Sequence, residues 1–214
     1  MINSLIDFDK QQAIQAGANF VIGIDEAGRG PLAGPVVAAS CFIPPSLVQE
    51  FADVNDSKKL TQAKRNQIFE RLHTSGVIFG IGFASAQEID KLNILQATFL
   101  AMCRAARKLE RLPHSLVLVD GPYPAAGLPM HQLPVIDGDA KSLAIGAASI
   151  LAKVTRDRYM QLLDKLYPGY GFAGHKGYGT AKHLQALREL GPCKEHRRSF
   201  GPVRKLLPAD PFLP

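Results

Sequence analysis

Three apolar runs in this chain end in carboxylates: Ile24-Asp25-Glu26, Leu118-Val119-Asp120-Gly121 and Ile136-Asp137-Gly138-Asp139. An apolar strand that stops in Asp presents a carboxylate at the end of a sheet, where open α/β sheets keep their sites. Gathering such groups is costly. Two unit charges about 4 Å apart repel by roughly 4 kcal/mol at an effective dielectric of 20. Shared protons, Lys or Arg partners, or a divalent cation must offset that. Oxygen-only ligation suits Mg²⁺ or Mn²⁺ rather than zinc, which prefers His and Cys. Adjacent strand residues point to opposite faces, so Asp25 and Glu26 reach one site by side chain only where the strand has ended or twisted. Singly, Asp25 or Asp120 reads better as a strand terminator or turn cap; it is their number that raises a metal site.

Gly28-Arg29-Gly30-Pro31-Leu32-Ala33-Gly34 follows the first acidic pair directly. Its spacing is not the dinucleotide fingerprint, and no GK[ST] follows to make a phosphate loop. The glycines let the backbone approach a ligand closely, and Arg29 has the fork that grips a phosphate; a tight hairpin loop would need the same glycines. Gly174-His175-Lys176-Gly177-Tyr178-Gly179-Thr180 interleaves cations, glycine and an aromatic ring. Lys176 suits a phosphate, Tyr178 offers a flat face to a sugar or base, and His175 is either a proton shuttle or a structural residue. Lys58-Lys59 and the Arg197-Arg198 pair add cations. Between Lys165 and Lys205, nine basic residues face only Glu189 and Glu195, a local +7. The whole chain carries +6, so the rest nets −1. One basic arm on a near-neutral body is a polyanion footprint or a solvated surface. Such contacts would position a duplex without reading its sequence.

The elements that must position these groups are legible. Phe20–Ile24 reads as a strand, and Val36–Ile43 as a second that pairs back across the glycine loop. Thr61 caps a helix reaching about His73. Val77–Ala84 is a third strand, and Ser85 with Glu88 has capping-box spacing. A helix from Ile94 to about Leu112, a strand over Leu116–Val119, a short strand over Leu133–Ile136, a helix over Ser142–Leu166 and another over Ala181–Leu190 follow. Small residues Ala144, Gly146, Ala147 and Ala148 give the long helix a face for close approach. Strands followed by mixed helices and strands indicate an α/β domain with a mixed sheet. Residues 1–214 read as one domain, with about 1–19 an N-terminal extension and the tail from about 206, notably Pro208 to Pro214, fraying.

Composition excludes several classes. Apolar residues at 46% and charged residues at 21% rule out disordered and fibrous chains. The longest nearly uncharged apolar run, Leu143–Ala152, is well short of the roughly 18 residues a span needs, so no membrane partner is expected. Asp7 and Asp9 argue against a secretory leader. Cys41, Cys103 and Cys193 are scattered and odd in number, with no CxxC pair, as suits a reducing cytoplasm.

Taken in order, the blocks Gly23–Pro35, Asn55–Leu60, Val119–Gly121, Gly138-Asp139, Ala147–Asp157, His175–Tyr178 and His196–Phe200 resemble ribonuclease HII over roughly Val21 to Val203. The resemblance implies a ribonuclease H-like fold, a mixed β-sheet flanked by helices with a helical, basic C-terminal portion. It implies a monomer that hydrolyses the RNA strand of RNA/DNA hybrids and incises 5′ of single ribonucleotides in duplex DNA. Asp25, Glu26, Asp120 and Asp139 match the family's metal-binding carboxylates for Mn²⁺ or Mg²⁺. Gly28, Arg29 and Gly30 match a loop that senses the ribose 2′-OH through its backbone, Tyr178 a tyrosine that packs on the sugar at the junction, and Lys58 a lysine near the phosphates. Family members often carry a lysine where this chain has Asp137. Asp139 is the match because the Gly-Asp pair aligns and because a carboxylate is favoured just before a helix N-terminus. The sister family, ribonuclease HIII, usually lacks the Arg29-Gly30-Pro31 pattern and has an added N-terminal domain, for which twenty residues leave no room. The rivals are a non-catalytic binding domain, which leaves the acids unexplained, a DNA nuclease on the same fold, which needs no ribose sensor, and a nucleotide-binding α/β enzyme.

Overall fold

The computed structural model describes residues 2–54 and 60–207. The Lys58 assignment and the fraying of Pro208–Pro214 lie outside the described residues. Helix α1 (Ile2–Ala16) leads into strands β1 (Phe20–Ala27) and β2 (Val36–Phe42), then helix α2 (Gln62–Thr74) and strand β3 (Ile78–Ala84). Helices α3 (Ala86–Leu92) and α4 (Ile94–Ala106) precede strands β4 (Ser115–Asp120) and β5 (His131–Val135). A 3-10 turn at Gly138–Ala140 then enters the long helix α5 (Leu143–Leu166), followed by α6 (Phe172–His175), α7 (Ala181–Leu190) and α8 (Gly201–Arg204).

The sheet order is β3-β2-β1-β4-β5. β1 pairs antiparallel with β2 and β2 with β3, while β4 runs parallel to both β1 and β5. This is the mixed sheet that the element order implied. Alternation sorts the strand residues by face. Ile22, Ile24, Val117 and Val119 pack with Phe99 and Met102 of α4. Leu116 and Leu118 pack on the other face with Ile145 of α5. Gly23 makes that second face possible: a Cβ there would lie 2.1 Å from the Ala144 carbonyl carbon. The helix start therefore rests on the strand backbone, as its small residues suggested.

Local signals hold where they were clearest. Thr61 Oγ1 accepts from the Lys64 amide at 3.2 Å, and Ser85 and Glu88 form the complete capping box. Several elements differ, among them β1, which runs on to Ala27. α1 was not anticipated; Leu5 and Ile6 join the core, and Asp9 Oδ2 accepts from the Ala144 amide at 3.0 Å at the start of α5. α4 stops at Ala106, and the chain turns before entering β4 at Ser115. Leu109 stays buried in the following turns. β5 begins earlier, at His131, and keeps Pro134 within it. As an edge strand it tolerates the missing amide hydrogen.

Candidate active site

β1 runs on past its last pair with β4, Ile24 with Val119, so Asp25 and Glu26 stand inside the strand rather than beyond it. By alternation Asp25 shares the α5 face with Leu116, Leu118 and Asp120. Glu26 has the opposite parity. It nevertheless lines the same cleft near the end of the strand. The cleft, about 310 Å³, is walled by Asp25, Glu26, Asp120, Gly28, Ser149, Lys153, Arg65 and Tyr178 among others. A second cavity of about 300 Å³ lies at the opposite end of β1, around Asp9, Phe20 and Phe42, remote from these carboxylates.

The acids are held under electrostatic load. Asp25 is 5% exposed. Burial, then the neighbouring Glu26 and Asp120, push its carboxyl well above the usual range, against hydrogen bonds from Ser149 and the Glu26 amide. Burial also raises Glu26, opposed by Arg29, whose guanidinium lies 3.5 Å from Glu26 Oε1. Asp120 Oδ1 accepts from the Gly138 amide at 2.7 Å. That bond draws the 3-10 turn onto the end of β4. Asp139, in the turn, is 2% exposed and lies beside the cleft without forming its wall. Asp137 is exposed, in a left-handed conformation at φ 54°. Of the two, Asp139 is the residue turned into the protein. Among the described residues, no three His, Cys, Asp or Glu side chains stand close enough to enclose an ion unaided. The donor set still fits a hard divalent cation: three carboxylates share one cleft, and Asp25 and Glu26 are raised first by burial and also by neighbouring carboxylates.

The glycine loop owes its shape to two buried arginines. Arg156 Nε and its two terminal nitrogens donate to Pro35, Lys176 and Ala33 carbonyls at 3.0, 3.0 and 3.2 Å. Arg197 donates to Gly34, Arg29 and Gly28 carbonyls at 3.0, 2.8 and 2.6 Å. Burial pulls Arg156 down to about 10; burial and then Arg156 pull Arg197 down to about 9. Both stay charged at neutral pH, satisfied by carbonyls as buried cations must be. This corrects the assignment of Arg197 as a phosphate contact, since it has no exposed surface and its donors are used within the fold. Arg156 is a supporting residue that its place mid-helix, among Lys153, Asp157 and Arg158, concealed. Gly28 has φ +99°, and a Cβ there would sit 1.9 Å from Arg156 Nε.

Of the other expected residues, Tyr178 lines the cleft. Arg29 and Gly30 are exposed at its mouth. Tyr178, 46% exposed, stands against them: a Cβ on Gly30 would come 3.6 Å from its ring. Lys176 turns its ammonium onto the Ala173 carbonyl. Arg198 is exposed, its amide bonded to Asp90 at 2.9 Å. His175 is structural, its Nε2 2.8 Å from the Tyr170 carbonyl.

A strand-end acidic cleft beside a glycine loop and an exposed tyrosine agrees with relatedness found along the chain. The family model described as Ribonuclease HII matches residues 22–203. The chain belongs to the ribonuclease HII family. A ribonuclease HII of Halorhodospira halophila is 54% identical over 192 residues, covering 89% of this chain and 96% of the relative. The ribonuclease H2 of Pyrococcus horikoshii OT3 superposes with a TM-score of 0.71 at 27% identity, over 87% of this chain and 96% of that one. Bst-RNase HIII, solved in complex with Mn²⁺, shares the fold at a TM-score of 0.71 and 15% identity, over 92% of this chain and 72% of that one. As a member of the ribonuclease HII family the chain is an endoribonuclease, a hydrolase. Among the described residues no helix is long and apolar enough to cross a membrane.

Proposed function

We propose that this chain hydrolyses the RNA strand of RNA/DNA hybrids and incises 5′ of single ribonucleotides embedded in duplex DNA, leaving 5′-phosphate and 3′-hydroxyl ends. The observation that carries the reading is one cleft walled by Asp25, Glu26 and Asp120 and continued by Gly28 and Tyr178. Family members depend on a divalent metal, and Asp25, Glu26, Asp120 and Asp139 would hold Mg²⁺ or Mn²⁺. Such ions keep water and substrate phosphate oxygens in their shell, so the protein need not enclose them. A bound ion supplies Lewis acidity toward the attacking water and the leaving 3′ oxygen.

The chain's own groups do the rest. Arg29 steadies Glu26 at the cleft mouth. The Gly28–Gly30 backbone, held from behind by Arg197, meets the 2′-OH, the group that marks a lone ribose. Tyr178 packs on the following sugar, which lacks that hydroxyl. Lys58, Lys176 and Arg198 take phosphates, with Lys176 releasing Ala173 to do so. The reading extends to a single catalytic domain acting as a cytoplasmic monomer; three free thiols suit a reducing compartment.

Cleavage of matched duplexes tests this: all DNA, a full RNA strand, and one ribonucleotide in DNA. Cuts in the second and third, with the third cut 5′ of the ribose, are expected. Cutting of all-DNA duplex at a similar rate overturns ribose selection, and full activity in excess chelator overturns the metal.

A further inference from the structure

Behind Tyr178 lies a buried histidine pair outside the catalytic cleft. His183 is fully buried and His196 is 1% exposed. Their Nε2 atoms are 3.1 Å apart. The backbone fixes which atom carries each proton. The Cys193 amide donates to His196 Nδ1 at 3.0 Å, so that nitrogen is a lone pair and the His196 proton is on Nε2. His183 Nδ1 lies 2.9 Å from the Tyr178 carbonyl, which can only accept, so the His183 proton is on Nδ1. His196 Nε2–H then donates to His183 Nε2, and every ring nitrogen is matched. The chain runs one way: Cys193 amide, His196, His183, Tyr178 carbonyl.

Tyr178 is flanked by Gly177 and Gly179, which by themselves hold a backbone loosely. His196 is followed by Arg197, which carries the Gly28 and Arg29 carbonyls. The same short segment pairs with the far side of the glycine loop, through Gly34 amide to Glu195 carbonyl at 2.9 Å and Arg197 amide to Leu32 carbonyl at 2.8 Å. One segment thus anchors both surfaces proposed to read the ribose junction.

We propose that His183 and His196 are positioning residues for junction selection: their directed hydrogen bonds set Tyr178 opposite the Gly28–Gly30 loop. The inference rests on the junction role of Tyr178 proposed above. A neutral hydrogen bond of this kind is worth about 1 kcal/mol, so its loss should read as a severalfold change.

The test measures kcat and KM on the single-ribonucleotide duplex and on a long RNA/DNA hybrid, for His183→Leu, His183→Asn, His196→Leu and Tyr178→Ala. Asn places an amide N–H where Nδ1–H stood. His183→Leu and His196→Leu should each lower the single-ribonucleotide to hybrid ratio of kcat/KM about fivefold, and His183→Asn should hold it within about twofold of wild type. Tyr178→Ala should lower the ratio at least as far. If Tyr178→Ala shifts the ratio and folded His183→Leu does not, the positioning proposal fails while the junction reading stands. If Tyr178→Ala leaves the ratio unchanged, the junction reading fails first. Should the Leu variants not fold, ring ¹⁵N spectra of the wild type decide: protons on His183 Nδ1 and His196 Nε2 support the chain, and either opposite tautomer overturns it.

Discussion

Replacing Asp25 with Asn should stabilise the metal-free protein while ending turnover. Asp25 is buried, and its charge is opposed by the cost of burial and by Glu26 and Asp120. At an effective dielectric of 20, one such neighbour contributes about 4 kcal/mol of repulsion at 4 Å and about 2 kcal/mol at 8 Å. Asn keeps an oxygen for the Glu26 amide, which donates to Asp25 Oδ1 at 2.6 Å. Taking the lower figure, the gain is about 2 kcal/mol, or about 4–8 °C in melting temperature for a chain of this size. The sign of the pH dependence follows from the raised carboxyl. Its penalty is complete above the folded pKa and disappears as pH falls toward the unfolded value near 4. The Asn variant should therefore melt higher than wild type at pH 8 in chelator, and the gap should close by pH 4. Adding Mg²⁺ or Mn²⁺ at pH 8 should raise the wild-type melting temperature more than the variant's. A variant that melts lower than wild type at pH 8, with no closing of the gap in acid, would falsify the claim that the cleft is built around missing positive charge.

Three further outcomes are expected. Gly28→Ala forces a side chain into a left-handed backbone against Arg156; strain of about 1–2 kcal/mol plus the displaced guanidinium should lower melting by several degrees and impair ribose selection, and a wild-type profile would refute the close approach. Arg198→Ala should reduce the slope of log affinity against log salt by about 1, as loss of one phosphate contact requires, whereas Arg197→Ala should act by unfolding the loop, visible as a lower melting temperature. His196 is held down near 4, mainly by burial and then by His183. Its stabilising contribution is present above the ordinary histidine value and fades as pH falls through 4, so His196→Gln should flatten the acid limb of melting temperature against pH, and an unchanged limb would count against the neutral pair.

What could be read in the sequence, and what could not, divides by the range of the forces involved. Asp25 and Asp120 were legible as neighbours because a strand's period is local, and β1 and β4 lie side by side with parallel register. Thr61 and Ser85 were legible for the same reason: a cap acts on amides two or three residues away. Arg197 was misassigned because adjacent cations read as surface, and nothing nearby in sequence says that the carbonyls of Gly28, Arg29 and Gly34 lie over 160 residues back along the chain, waiting for its donors. Helix α1 was missed on similar grounds. Its apolar positions are sparse, and its place is set by Leu5 and Ile6 in the core and by Asp9 on the α5 amide, partners that only the fold supplies. The glycine loop shows why the distinction matters for function. Its glycines announce that backbone must come close to something. Close approach requires carbonyls held still from behind: Arg197 holds those of Gly28, Arg29 and Gly34, and Arg156 ties Ala33 and Pro35 to Lys176. The residues proposed to face the ribose are thus local and readable, while those that hold their carbonyls from behind are distant, buried and charged.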